Sequence, residues 1–338
     1  MFQGGIMRFE SSVTSVSWIP SEAMTGPLRV PVDLGIGHYD DPLPDHIDDL
    51  EALRKADRFR FANELRAWIE VADGRVVDAG YSAGGHMGAT TLALGVGHIT
   101  IPAVEFPDLR AEPIITATTA TFTQTTGGRT GAPLPRRINR PPFLKIVAPT
   151  VWTTLTLTLR ADGSHEYAVS GASKMPRHWI YDDQNNLVAK SGMIDFKGWT
   201  QESFGDNTPW GDTDSPAIVT AVETQLERQL SVQIMREGRK PKIRKLATGD
   251  TLTNQGDPGS EMYLLLDGVL SVEVDDEAVA EVGPGSILGE RALLEGGTRT
   301  STLRASTPIT VAVATAPDIQ PSVLEELASG HRREESAI

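Results

Sequence analysis

The 338-residue chain contains no cysteine, which excludes disulfides, thiolate metal sites and cysteine nucleophiles and suits a cytoplasmic protein. It also lacks any apolar run approaching the roughly 18 residues of a membrane-spanning helix, so no membrane partner is expected. No basic-then-apolar secretory leader opens the chain. Residues 1–7, Met-Phe-Gln-Gly-Gly-Ile-Met, read as an upstream start or a cloning remnant, with Met7 as the natural beginning. Positive charge is scarce: 31 Lys and Arg face 45 Asp and Glu, a net charge of −14. The deficit is shared, with 11 basic and 17 acidic side chains in residues 236–338 and a balance of −8 in the remainder. Neither part has the basic balance of a nucleic-acid-binding domain. The one basic run, Arg236 to Lys245, reads as a solvated hinge. Aromatic residues are few, and all six tryptophans, at positions 18, 68, 152, 179, 199 and 210, precede residue 211; Tyr263 is the single aromatic after it.

What is present is an ordinary globular composition, 39% hydrophobic and 22% charged, in a chain long enough for two domains. Residues 8–213 read as mainly antiparallel β, an antiparallel barrel or sandwich with few helices. Strand-like segments run Val13–Trp18, Phe59–Val71, Arg75–Ala79, Ile114–Gln124, Trp152–Arg160, Glu166–Ser170, His178–Tyr181 and Leu187–Lys190. Asp73-Gly74 and Asp162-Gly163 mark hairpins, and Thr153 to Leu159 alternates at period two. One helix is expected over Pro44–Ala56, capped by Asp45. Ile218, Val222, Leu226, Leu230 and Ile234 then recur every four residues, predicting an amphipathic connecting helix of about five turns with Ser215 as cap and Gly238 past its end.

The stretch Gly285 to Ala305 places one carboxylate and one guanidinium around a glycine-rich turn. Gly289 lets the backbone approach a ligand closely, a short helix starting near Glu290 offers unpaired amides to an anion, and Glu290 can accept from a sugar hydroxyl. Arg299 carries a planar fork of donors suited to two phosphate oxygens. Together these are the groups a ribose cyclic phosphate needs. Upstream, Leu246 to Gly268 contains short apolar runs cut by Gly-Asp, by Gln-Gly-Asp-Pro-Gly and by a strand ending in glycine, the punctuation of a β-roll. In these motifs and their order, residues 241–328 resemble the cyclic nucleotide-binding domain family. The resemblance implies a jelly-roll-like β-roll with cAMP or cGMP as regulatory ligand and no metal. It further implies that Glu290 holds the ribose 2′-hydroxyl, that Arg299 holds the exocyclic phosphate oxygens, and that the amides of Gly289, Ala292 and Thr300 complete the cradle. Leu288 stands where the family usually has Phe, Arg291 where an apolar residue is common, and Thr298 where Pro is frequent; none of the three removes a ligand-contacting group. Thr300 leaves the choice between cAMP and cGMP open. No aromatic residue follows the β-roll to cap a base, and no helix-turn-helix pattern follows Leu327.

Other motifs carry less. Gly80-Tyr-Ser-Ala-Gly84 matches the serine-hydrolase elbow in form, but the β-rich surroundings favour a glycine turn over a nucleophilic Ser82. His38-Tyr-Asp-Asp-Pro-Leu-Pro-Asp-His46 gathers metal-binding groups, yet its prolines favour an extended loop. Gln124 to Pro142, rich in Gly, Pro and Arg, reads as a long surface loop. Gly127, Gly128 and Arg129 offer an anion nest there, while Arg136, Arg137 and Arg140 offer a face for an acidic partner. The organisation expected is thus a β-rich domain over 8–213, a connecting helix and basic hinge over 214–240, and a nucleotide-binding domain over 241–330. The function expected is cyclic-nucleotide-responsive regulation, with a protein partner or a second copy meeting the N-terminal domain. The alternatives are a nucleotide-controlled enzyme acting on a small molecule through that domain, and an assembly protein with a vestigial β-roll.

Overall fold

A computed structural model describes residues 5–23, 30–34, 36–37, 39–94, 97–137, 144–175, 177–191, 209–210, 219–220, 222–223, 225–237, 241–294 and 297–315. Two compact units divide the chain between Val219 and Thr220, and Ser21–Ala23 groups with the second.

The first unit is a sandwich of two antiparallel sheets. One runs Leu187–Ser191, Arg177–Tyr181, Met7–Trp18, Phe61–Ala72, Arg75–Tyr81, with Gly85–Met87 also paired to Phe61–Ala72. The other runs His165–Ala172, Thr150–Arg160, Thr119–Arg129, whose outer edge pairs in turn with Val104–Glu105, Leu109–Arg110 and Ile114–Ile115. Period-two alternation places Val13, Leu65 and Ile69 from one sheet against Phe122, Leu155 and Leu157 from the other, all fully buried. No strand pair among the described residues joins the two sheets, so the barrel alternative is set aside. The Asp73-Gly74 hairpin forms as expected, with φ of 50° and 71°, the left-handed pair that a two-residue turn needs.

Two expectations for this unit are corrected. The helix expected over 44–56 begins only at Leu50 and ends at Lys55, with Asp49, not Asp45, accepting from the Ala52 amide at 3.0 Å. Within the expected loop from Gln124 to Pro142, the described residues, 124–137, are largely strand: Thr119–Arg129 pairs along its whole length with Thr150–Arg160, and Leu134–Arg137 pairs with Leu144–Val147. Local glycine content is overridden by close strand approach, because a side chain at Gly127 or Gly128 would collide with the Val151 or Val104 carbonyl. The glycine pair is therefore extended rather than an anion nest, and Arg129 lies over the Phe106 ring. Arg140 lies outside the described residues.

The second unit is a β-roll of two four-stranded sheets. One runs Lys242–Leu246, Ile309–Thr315, Glu261–Asp267, Ile287–Leu288; the other runs Thr251–Thr253, Thr302–Ala305, Leu270–Val274, Glu277–Val282. Along Glu261–Asp267 the pleat sorts side chains cleanly. Tyr263 and Leu265 enter the roll with Leu270, Leu303 and Val311, while Met262, Leu264 and Leu266 face outward onto Leu230, Ile234 and Met235 of the preceding helix. That helix is shorter than expected. It spans Gln225–Val232 and continues as one wide turn, Gln233–Glu237, whereas Val219–Thr220 is strand. The four-residue apolar repeat is real from Leu226 onward. Upstream of it, β-branched Val219, Thr220 and Val222 favour extended backbone. Ser215, Pro216 and Ile218 lie outside the described residues.

Candidate ligand-binding site

The site is built where two turns of the β-roll meet. The Gln-Gly-Asp-Pro-Gly turn zips antiparallel to the segment carrying Arg299: the Arg299 amide donates to the Asp257 carbonyl (2.8 Å), the Gly256 amide to the Arg299 carbonyl (2.8 Å), and the Gly259 amide to the Gly297 carbonyl (2.7 Å). Arg299 is thereby fixed in backbone as well as side chain. The residue is 6% exposed. Nη1 donates to the Glu261 carbonyl at 2.8 Å and to the Gly289 carbonyl at 3.3 Å, and Nη2 donates to the Tyr263 hydroxyl at 3.2 Å. Tyr263 in turn donates to the Glu261 carboxylate at 3.1 Å, and burial holds its phenol above the ordinary tyrosine range.

Gly289 has φ of 88°, in the left-handed region, and a side chain there would run into the Arg299 guanidinium. Directly after it, Glu290 opens the short helix Glu290–Leu294 and is almost wholly buried, as is Ala292, whose carbonyl accepts from the Gly297 amide at 2.7 Å. Thr300 is half-buried, next to Arg299. The five residues singled out from sequence therefore gather on two neighbouring segments, 289–292 and 299–300, and Arg299 bridges them through Gly289. Sequence reasoning missed three members of the group. Tyr263 is the lone aromatic of the β-roll, a usable signal; Gly259 closes the recognised turn and Glu261 opens the strand after it, and neither has a role assigned from sequence.

Among the described residues, which exclude His38, no group of His, Asp and Glu side chains is arranged to hold a metal ion. Ser82 lies between two strands that both pair with Phe61–Ala72, not at a strand-to-helix elbow. Asp40 is committed to a buried ion pair with Arg60 at 2.8 Å. His86 hydrogen-bonds Glu64 at 3.3 Å, which raises the imidazole pKa and lowers that of the carboxylate. No helix among the described residues is long and apolar enough to cross a membrane.

Comparison with known proteins places this geometry. Residues 243–323 match the sequence profile of the cyclic nucleotide-binding domain family. A cGMP-dependent protein kinase of Plasmodium berghei is 40% identical over 61 residues, 18% of this chain and 7% of the kinase. A cyclic nucleotide-gated potassium channel of Mesorhizobium japonicum is 32% identical over 89 residues, 26% of this chain and 24% of the channel. A cyclic nucleotide-binding domain from Methylobacillus flagellatus, solved as a crystal structure, is 22% identical, with 34% of this chain and 71% of that one covered and a TM-score of 0.26. The chain spans less than a quarter of the length of either curated relative, and both matches are partial. Residues 243–323 belong to the cyclic nucleotide-binding domain family.

Proposed function

We propose that this chain is a cyclic-nucleotide-responsive regulatory protein in which cAMP or cGMP occupies the cradle formed by Gly289, Glu290, Ala292, Arg299 and Thr300. One observation carries the reading. Arg299 is a buried cation whose described hydrogen bonds all end on uncharged oxygens, two carbonyls and a phenol, and no carboxylate among the described residues is paired to it. Burying a charge without a counter-charge is costly, and an anion delivered by a ligand offsets that cost. The cyclic phosphate supplies the anion, Glu290 takes the ribose 2′-hydroxyl, and the amides of Gly289, Ala292 and Thr300 complete the contacts. The segment over 214–240 connects this domain to the β-rich domain over 8–213, which acts as the output in a cytoplasmic protein and meets a protein partner or a second copy of the chain.

Titration calorimetry with cAMP and with cGMP tests the reading directly. Arg299→Ala removes a charge-assisted pair and should weaken binding by about 2–5 kcal/mol. Arg304, exposed and ion-paired to Glu273 at 3.0 Å, is the matched control, and Arg304→Ala should cost less than about 1 kcal/mol. Equal affinities for the two variants would remove Arg299 from the cradle, and no heat from the wild-type chain with either nucleotide would end the reading.

A further inference from the structure

The helix Gln225–Val232 presents apolar residues to the β-roll, but one position on its buried side is a carboxylate. Glu227 is 4% exposed, and its Oε1 accepts a hydrogen bond from the Ile287 amide at 2.9 Å, across 60 residues of sequence. Ile287 lies on the short strand Ile287–Leu288, which runs directly into Gly289 and Glu290. The opposite end of that three-residue segment is also held, since the Gly289 carbonyl accepts from Arg299 Nη1 at 3.3 Å. The segment 287–289 is thus tied at its first amide to the helix and at its last carbonyl to the arginine. Apolar packing follows the same line: Leu230, Ile234 and Met235 share a cluster with Ile287, and Leu226, Leu293 and Leu294 pack against it. The helix is therefore hydrogen-bonded to the strand that enters the cradle and shares an apolar cluster with the short helix that leaves it.

A buried hydrogen bond fixes the backbone it ends on, and a segment fixed beforehand loses less freedom when a ligand orders it. From this geometry we infer that Glu227 is a positioning residue for the nucleotide cradle, holding the 287–289 segment in place through the Ile287 amide and so linking occupancy of the cradle to the helix. The inference rests on the proposed nucleotide binding at Arg299. Coupling between two groups is reciprocal, so a residue that sets the cradle from the helix also lets the cradle act on the helix.

The test uses three full-length variants. Glu227→Leu keeps the apolar bulk and removes the acceptor, Glu227→Gln keeps an acceptor oxygen, and Gln229→Leu adds a leucine at an exposed position of the same helix. Hydrogen exchange on the free proteins reads the tie without any ligand. In Glu227→Leu the Ile287 amide should exchange at least tenfold faster, while amides paired between Glu261–Asp267 and Ile309–Thr315 keep their protection. Calorimetry then reads the consequence: cAMP or cGMP, whichever the wild type binds, should bind Glu227→Leu at least fivefold more weakly, and Glu227→Gln and Gln229→Leu within twofold of wild type. An unchanged Ile287 amide in Glu227→Leu overturns the inference, as does a lost tie with unchanged affinity, or equal weakening in Gln229→Leu. A wild-type chain that binds neither nucleotide defeats the functional reading itself, and that outcome is distinct because it appears before any substitution is made.

Discussion

Gly259 has no side chain because the Arg299 guanidinium occupies the space one would fill. Its φ lies outside the left-handed region, so alanine is acceptable to the backbone there, and the collision falls on the Cδ, Nε and Cζ atoms of the arginine side chain rather than on backbone. Gly259→Ala should therefore melt within a few degrees of wild type yet bind nucleotide more weakly by about 1–3 kcal/mol, as the fork is turned from its carbonyl partners. Calorimetry and thermal melting on one preparation decide this, and a large drop in melting temperature with unchanged affinity would contradict it. Thr300→Ala makes a separate point. If its hydroxyl meets the 2-amino group of guanine, cGMP affinity should fall several-fold, about 0.5–1.5 kcal/mol, with little change for cAMP; equal losses would remove Thr300 as a selector. His178 in the first unit gives a pH signature. Its Nε2 faces the Ser173 carbonyl at 2.9 Å and must donate there, leaving Nδ1 to accept from the Ser17 hydroxyl at 2.6 Å. Burial pushes its pKa down from 6.5 to about 4, against the opposing Ser173 contact. Between those values the unfolded chain binds the extra proton and the folded chain does not, so stability falls as pH drops through that window, by about 3 kcal/mol in full. Urea denaturation from pH 7 to 4 should show this slope, and His178→Gln should flatten it.

At the scale of elements, what could be read from sequence followed the strength of the local pattern. Thr150–Arg160 alternates so regularly that both its extent and its facing were legible, and so were the paired Phe61–Ala72 and Arg75–Tyr81 with their Asp-Gly turn. Thr119–Arg129 was lost at its C-terminal half because two glycines mask a strand whose neighbours need them to be small. The candidate site divided in the same way. Glu290 and Arg299 are charged groups at a fixed spacing and could be read, whereas the Glu227 tie to Ile287 is a contact between residues 60 apart and leaves no local trace. The corrected start of the connecting helix changes how it should be broken. Leu226 is its second residue, in the first turn where proline is tolerated, whereas Leu230 lies in the interior and is 2% exposed. Leu230→Pro should destabilise the second unit by about 3 kcal/mol or more and Leu226→Pro by much less, a difference denaturant melts of the two variants would show.

For the whole molecule, the decisive question is whether nucleotide in the second unit alters the first. A ligand changes a distant region only if it binds two arrangements of the chain with different affinity. The tryptophans make this measurable, because all six lie in residues 1–210 and none follows. Trp152 and Trp179 are fully buried in the first unit, and Trp18 stacks edge-on against Trp179 at 4.9 Å between ring centroids. Their emission therefore reports on the first unit and is blind to direct contact between nucleotide and the β-roll, whose one aromatic is Tyr263. Saturating cAMP or cGMP should shift tryptophan emission in the wild-type chain and leave it unchanged in Arg299→Ala at the same concentration. Glu227→Leu should bind at raised concentration but give a smaller shift at saturation, since the tie between cradle and helix is gone. Tight binding with no change in emission, and none in hydrogen exchange over Gln225–Val232, would make the β-roll a passive store of nucleotide and remove regulation of the first unit from the proposed function.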